Sequence, residues 1–320
     1  MIRIIAMATL APVVPLPALA LDCPEGQRPF AHHAGEDCIP EDPQRIVTLQ
    51  DQNALLPLLE LGVVPVGSAG HIQEDGARIF RRTEGFDTSG VAFVGPYGGP
   101  DAEAVAALAP DLIVASPWPE GVHETYSRIA PTVVIDVHGQ PLEDALFQFA
   151  DLVGRGEEAR RLQAETEAHA AALRERLGPA LARTTVSAVT SDEGDATFYA
   201  MEPAQAWGAV RRLLDPPMTA PETGWEPERD PKSLETLGEH AADAMIFVSF
   251  DADDGGTSSS FDAFAARPVV QALPVARAGQ LFHLDGAAMV GASWGKIRNG
   301  LDQVGAVLGR DDLKRDLVEE

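Results

Sequence analysis

Asp101 to Ser116 reads DAEAVAALAPDLIVAS, and Ser233 to Ser249 reads SLETLGEHAADAMIFVS. The two stretches begin 132 residues apart and follow one plan. A capping residue, Asp101 or Ser233, precedes a short run with helical apolar spacing. Glutamate stands two positions on, as Glu103 and Glu235. Eight residues after each glutamate comes an aspartate, Asp111 or Asp243, and then an uninterrupted apolar run of strand length. A helix-then-strand unit present once in each half predicts two similar α/β lobes. Two lobes enclose a cleft, and a cleft holds a ligand.

Outward from these units, strands alternate with helices. Ile46 to Leu49 and Val63 to Val66 read as strands around a helix from Ala54 to Leu61 that stops at Gly62. Leu112 to Ala115 and Val133 to Val137 continue the series. In the second half Thr185–Thr190, Met245–Phe250 and Gln280–Leu284 read as strands, with helices over Gln205–Leu214 and Lys296–Leu308. This spacing implies parallel sheets covered by helices. Pro141 to Leu177 differs, being rich in Ala, Leu, Glu and Arg. Apolar residues recur there at Leu146, Phe149 and Leu152, then at Ala164, Ala168 and Ala171, which predicts a long rigid helix joining the lobes, with Gly154 and Gly156 as the place for a break. The expected division is 1–20 leader, 21–42 N-terminal loop, 43–139 first lobe, 140–178 linking helix and 179–320 second lobe.

The chain has 320 residues and a formal charge of −25. No basic stripe is present to displace phosphate counterions, which excludes nucleic acid as a partner. Arg3, the apolar stretch to Leu19 and the small-x-small triplet Ala18-Leu19-Ala20 predict a cleaved secretory signal and a periplasmic, soluble product. In such an oxidising compartment Cys23 and Cys38 are expected to form a disulfide. A metal module of Cys23, His32, His33 and Cys38 is the alternative, with His32-His33 otherwise a solvated pair. The acidic, Gly/Ser-rich stretch from Asp251 to Ser260 faintly matches a calcium loop but reads better as a surface loop.

Four segments in order, PQRIVTLQDQNALLPLLELGVVPVG, VGPYGGPDAEAVAALAPDLIVAS, SLETLGEHAADAMIFVS and ARPVVQALPVARAGQLFHLDG, resemble the periplasmic substrate-binding proteins of ABC importers for iron–siderophore complexes, haem and cobalamin. The resemblance spans about Pro43 to Leu308. It implies two Rossmann-like lobes bridged by one long helix, no enzymatic chemistry, no permanently bound cofactor and a monomer. It further implies an Fe(III)–siderophore ligand, with haem or cobalamin as alternatives; a bare zinc or manganese ion is a further alternative that rests on His71, His138 and His283. By position, Glu103 and Glu235 would dock onto basic residues of the membrane permease, two separated like charges setting register against complementary patches.

Ligands of such lobes sit just past the carboxyl ends of strands. In the first lobe this singles out Gln50–Asn53, Ala69–His71, Tyr97 and Trp118. In the second it singles out Tyr199, Trp225, Phe250 and Asp285–Met289, including Met289. The rings offer apolar faces and hydrogen-bonding tips to an organic chelate. Tyr97 stands where the resembling hydroxamate binders carry arginine, and Arg81 or Arg82 would supply charge for an anionic chelate. A bare ion would instead use His71, His138 and His283 with Asp285, and haem would use Tyr97 or His71 as axial ligand. Gly291-Ala-Ser293-Trp-Gly295 matches a hydrolase elbow, but the last histidine, His283, precedes Ser293, so the order of a triad cannot be completed.

Overall fold

The computed structural model describes residues 21–191, 196–201, 204–223, 231–250 and 258–317. The expected leader, Trp225 and most of the calcium-like stretch lie outside these residues.

An N-terminal hairpin, β1 (Gln27–His32) and β2 (Gly35–Pro40), pairs antiparallel, and the Cys23–Cys38 disulfide closes its base. The first sheet contains β3 (Ile46–Thr48), β4 (Gly67–Ile72), β5 (Arg78–Ile79), β6 (Ala92–Pro96), β7 (Leu112–Ala115) and β8 (Thr132–Val134). Its order is β5-β4-β3-β7-β8, with β6 also on β4. Only β5 runs antiparallel to its neighbour. The second sheet has β9 (Val186–Thr190), β10 (Thr197–Ala200), β11 (Lys232–Ser233), β12 (Ala244–Ser249) and β13 (Leu281–Asp285), in the order β11-β10-β9-β12-β13. There β9, β12 and β13 are parallel, and β10 is antiparallel to both its neighbours. Every residue of β7, β9 and β12 is buried, as expected of parallel strands covered on both faces.

The repeated unit has the same construction in both lobes. Asp101 caps the helix Ala102–Ala107 by accepting from the backbone N–H groups of Glu103 and Ala104. Ser233 accepts from Glu235 N at the head of Leu234–His240, which winds as a 3-10 helix rather than an α-helix. Asp111 accepts from Gln44 N and Arg45 N, at 2.7 and 2.9 Å, just before β3. Asp243 accepts from Thr185 N at 2.9 Å, just before β9, and from Leu317 N at 3.0 Å.

The helix expected over Pro141–Leu177 is divided at the glycines expected as the place for a break. Leu142–Leu152 and Gly156–Leu177 are separate helices, because Gly154 takes a left-handed conformation at φ 65° that no helix interior accommodates. The 22-residue second piece links the lobes. Its buried face is Ala159, Leu162, Thr166, Ala170, Leu173 and Leu177, while Ala164, Ala168 and Ala171 are exposed. Leu146, Phe149 and Leu152 are buried as anticipated. The strand expected at Val63–Val66 starts later, at Gly67. One core cluster runs from Phe30 and Ile39 of the hairpin through Leu112 and Val114 of β7 and Leu162 of the linking helix. It continues to Ile246 of β12 and Leu301 of the closing helix Trp294–Leu308. Among the described residues no helix is long and apolar enough to cross a membrane.

Candidate ligand-binding cleft

The carboxyl ends of the two sheets meet. Past β3 the chain turns through Asp51–Leu55, and there the Gln52 carbonyl accepts from Ala292 N at 2.9 Å, beyond β13. Past β8, His138 accepts from the Gln205 amide at 2.9 Å. Glu60 reaches across and accepts from Trp294 N and Gly295 N, each at 2.7 Å, at the first turn of the closing helix. Burial pushes its carboxyl up, the two N–H bonds pull the other way, and the net shift is upward. The Gly-Ala-Ser-Trp-Gly stretch is thereby explained as a helix start, with Ser293 as the cap.

On the first lobe, Tyr97 follows β6 and donates its backbone N–H to Gly70 O. Its ring lies 5.8 Å from that of Trp118 and 6.3 Å from that of His71, centroid to centroid. The Arg81 guanidinium carbon sits 4.0 Å from the Tyr97 ring centre, a cation–π contact. Arg81 also grips Asp51 through two bonds, at 2.9 and 2.7 Å, and the Asp51 side chain is fully buried. Burial alone would lower the Arg81 pKa, but the Asp51 bonds outweigh it and the net shift is upward. Arg81 therefore anchors the Tyr97 ring, with its own charge met by Asp51. Trp118 is 57% exposed, an open aromatic face.

Arg82 is half-buried in a left-handed conformation, with Nε buried and unpartnered. Lys296, expected only as the start of a helix and not as a site residue, is also half-buried. Burial pushes its ammonium pKa down, and Glu84, Arg82 and Asp285 are the charges it feels. Arg82 and Lys296 thus belong to one electrostatic neighbourhood near the lobe junction.

On the second lobe, Met201, Trp207, Val248, Phe250, Met289 and Val290 line a cavity of about 170 Å³, with His138 of the first lobe among its walls. Phe250 is 48% exposed, whereas Met289 is only 5% exposed. Tyr199 is half-buried within β10, and strand alternation puts it on the face opposite Ala200, which lines the cavity. Tyr97 and Trp118 do not line this cavity; the candidate rings form two groups, one per lobe.

The three histidines of the bare-ion reading are not brought together. His71 lies by Tyr97, His138 pairs with Gln205, and His283 bonds Ser249 Oγ at 2.7 Å and stacks on Phe261. Among the described residues the one compact group of metal-ligand type is His32, Asp37 and His123. His32 is no solvated loop residue: its side chain is fully buried. Its Nδ1 accepts from Ala34 N and Val134 N, which leaves Nε2–H to donate to Asp37. The cysteine–histidine module fails because both cysteines are consumed in the disulfide. Glu103 and Glu235 are both exposed, each in the first turn of its capped helix.

This geometry defines a two-lobed binding protein, with aromatic and cationic groups on one wall and apolar groups on the other. The family model of the periplasmic binding proteins matches residues 83–288, more than half of the chain, and the chain belongs to that family. Its members bind ligands and are not enzymes. A Bacillus subtilis protein named "Probable siderophore-binding lipoprotein YfiY" is 30% identical over 174 residues, 54% of this chain and 52% of the relative, so the match spans about half that protein's length. Staphylococcus aureus SirA, solved in complex with staphyloferrin B, superposes with a TM-score of 0.71 at 20% identity, covering 89% of this chain and 99% of its own. A Bacillus subtilis periplasmic binding protein, described as a component of a ferrichrome ABC transporter, has a TM-score of 0.69 at 18% identity, with coverages of 88% and 100%. Both structures share the fold.

Proposed function

We propose that this protein captures a ferric siderophore between its lobes and delivers it to the permease of an ABC importer. The observation that carries the reading is the wall at the carboxyl edge of the first sheet. There Tyr97, Trp118 and His71 cluster around an Arg81 fixed by buried Asp51. Open ring faces held in place by a buried ion pair suit a bulky organic chelate better than a naked ion, which needs converging ligand atoms. The siderophore named for one relative and the staphyloferrin bound by another support the same ligand class. Arg82 and Lys296 favour a chelate with net negative charge. Permease docking is assigned to Glu103 and Glu235, and export to the segment before Leu21.

The test is to isolate the mature protein from its native compartment and record absorbance and mass spectra of what accompanies it. A visible charge-transfer band with a ferric chelate in the mass spectrum is the expected result. A Soret band would replace the reading with haem, and a colourless preparation that binds no added ferric chelate would end it.

A further inference from the structure

The cavity of the second lobe differs chemically from the first-lobe wall. Its larger apolar walls are Met201, Trp207, Val248, Phe250, Met289 and Val290, with Thr190, Gln205 and His138 as the polar side chains among the residues that line it. Among the described residues that line it there is no Asp, Glu, Lys or Arg, and His138 is the one titratable side chain. The cations near the junction, Arg82 and Lys296, are not among its walls, and neither is Arg81, whose charge Asp51 already meets. A charged iron-ligating oxygen moved into such a lining would lose its water without gaining a counter-charge. The iron-bearing part of a chelate therefore has its place on the first-lobe wall, and something uncharged belongs in the cavity.

Two further observations say what that is. The volume is about 170 Å³, and an apolar cavity of roughly 150 Å³ is enough to take up a benzene-sized molecule. A hydrocarbon group of about six carbons is thus the natural size. Phe250 stands among the walls with nearly half its surface open to water, although the rest of its strand neighbourhood is buried. A hydrocarbon entering past it would cover that ring. Met201 and Met289 bring flexible, polarisable side chains that adapt to a variable apolar guest.

We infer that the second-lobe cavity receives a short hydrocarbon arm of an amphiphilic ferric chelate, whose anionic iron-bearing head lies on the first-lobe wall. This rests on the ferric-chelate reading above. It adds a specificity that the reading does not contain: preference for an acylated over an unacylated chelate.

The experiment uses ferric complexes of a citrate-centred dihydroxamate carrying either a hexanoyl or an acetyl group, with a ferric tris-catecholate as a third probe. Binding is followed by quenching of intrinsic tryptophan fluorescence of the full mature chain. Each buried methylene is worth on the order of fourfold in affinity, so the hexanoyl chelate should bind at least about tenfold tighter than the acetyl one. Val290→Asp, which puts a carboxylate into the lining, should erase that difference, bringing the ratio of the hexanoyl to the acetyl affinity to about one whatever the two absolute affinities become. Met201→Gln provides a second variant, and circular dichroism melting confirms that each is folded. Equal binding of the two citrate-centred chelates, or a hexanoyl preference untouched in both folded variants, overturns the arm and leaves the ferric-chelate reading standing. Binding of the tris-catecholate alone also overturns the arm. Failure of all three probes to bind overturns the underlying reading as well.

Discussion

Asp111 and Asp243 do the same work in the two halves, each gathering backbone N–H groups where the first strand of its lobe begins. Asp51 is the more consequential carboxylate. It is fully buried and paired with Arg81, which in turn packs on Tyr97. Removing one partner of a buried pair leaves an uncompensated charge, so Asp51→Ala should cost about 3 kcal/mol in urea unfolding. It should also release the Tyr97 ring. His32 gives a pH dependence. Burial holds its pKa below the ordinary 6.5, against the opposing pull of Asp37. The unfolded chain takes up that proton near 6.5 and the folded chain only at lower pH. The stability contributed is therefore full above about 6.5 and falls as the solution is acidified. For Asp37, burial raises the pKa, but the His123 and His32 contacts lower it more, leaving it below 3.8. Its own contribution is lost only at still lower pH. Urea midpoints at pH 7.5 and 5.0 should fall less in His32→Phe than in the parent, whatever the absolute loss.

Among the elements, the closing helix is fitted by its glycines. A Cβ at Gly305 would lie 2.6 Å from a Leu173 methyl on the linking helix, and one at Gly300 would lie 2.8 Å from a Val210 methyl. Gly305→Val should thus destabilise by roughly 1–3 kcal/mol through overpacking, read as a lowered urea midpoint at unchanged slope. Such contacts also mark where sequence reading reaches its limit. The helix Gln205–Leu214 and the strand Leu112–Ala115 were legible to the residue, because periodicity and burial agree there. The strand β4, GSAGHI, carries little apolar signal. Its glycines are required by neighbours distant in sequence, since a Cβ at Gly67 would meet Leu108 and one at Gly70 the Ile79 carbonyl. The alanines of the linking helix leave its buried face open, because alanine fits either side; the leucine pair Leu173 and Leu177, four apart in the sequence, lies on the buried face together with Leu162. In the cleft, Tyr97 and Trp118 could be placed from strand ends and meet in space. The Asp51–Arg81 grip and the Arg82–Lys296 neighbourhood could not, because both join residues from separate elements.

At the scale of the whole molecule, the lobes are fastened rather than hinged. Gln52–Ala292, His138–Gln205 and Glu60 with the closing helix cross the boundary, as does the Arg212–Glu143 ion pair. If Glu103 and Glu235 serve docking, Glu103→Arg with Glu235→Arg should abolish uptake of the iron chelate by cells and leave its dissociation constant unchanged. Unimpaired uptake would remove both residues from that role. The shared core has a consequence for how the protein comes apart. Each lobe keeps a smaller buried cluster of its own, around Val105 and Ile113 in the first and Phe247 and Phe264 in the second, but the largest cluster runs without a break from the hairpin to the closing helix and couples the two. Calorimetry should show one heat-absorption peak rather than two. A guest bound at either wall should slow amide exchange on the far side of the molecule, since the slowest-exchanging amides of both halves open only when the whole body does.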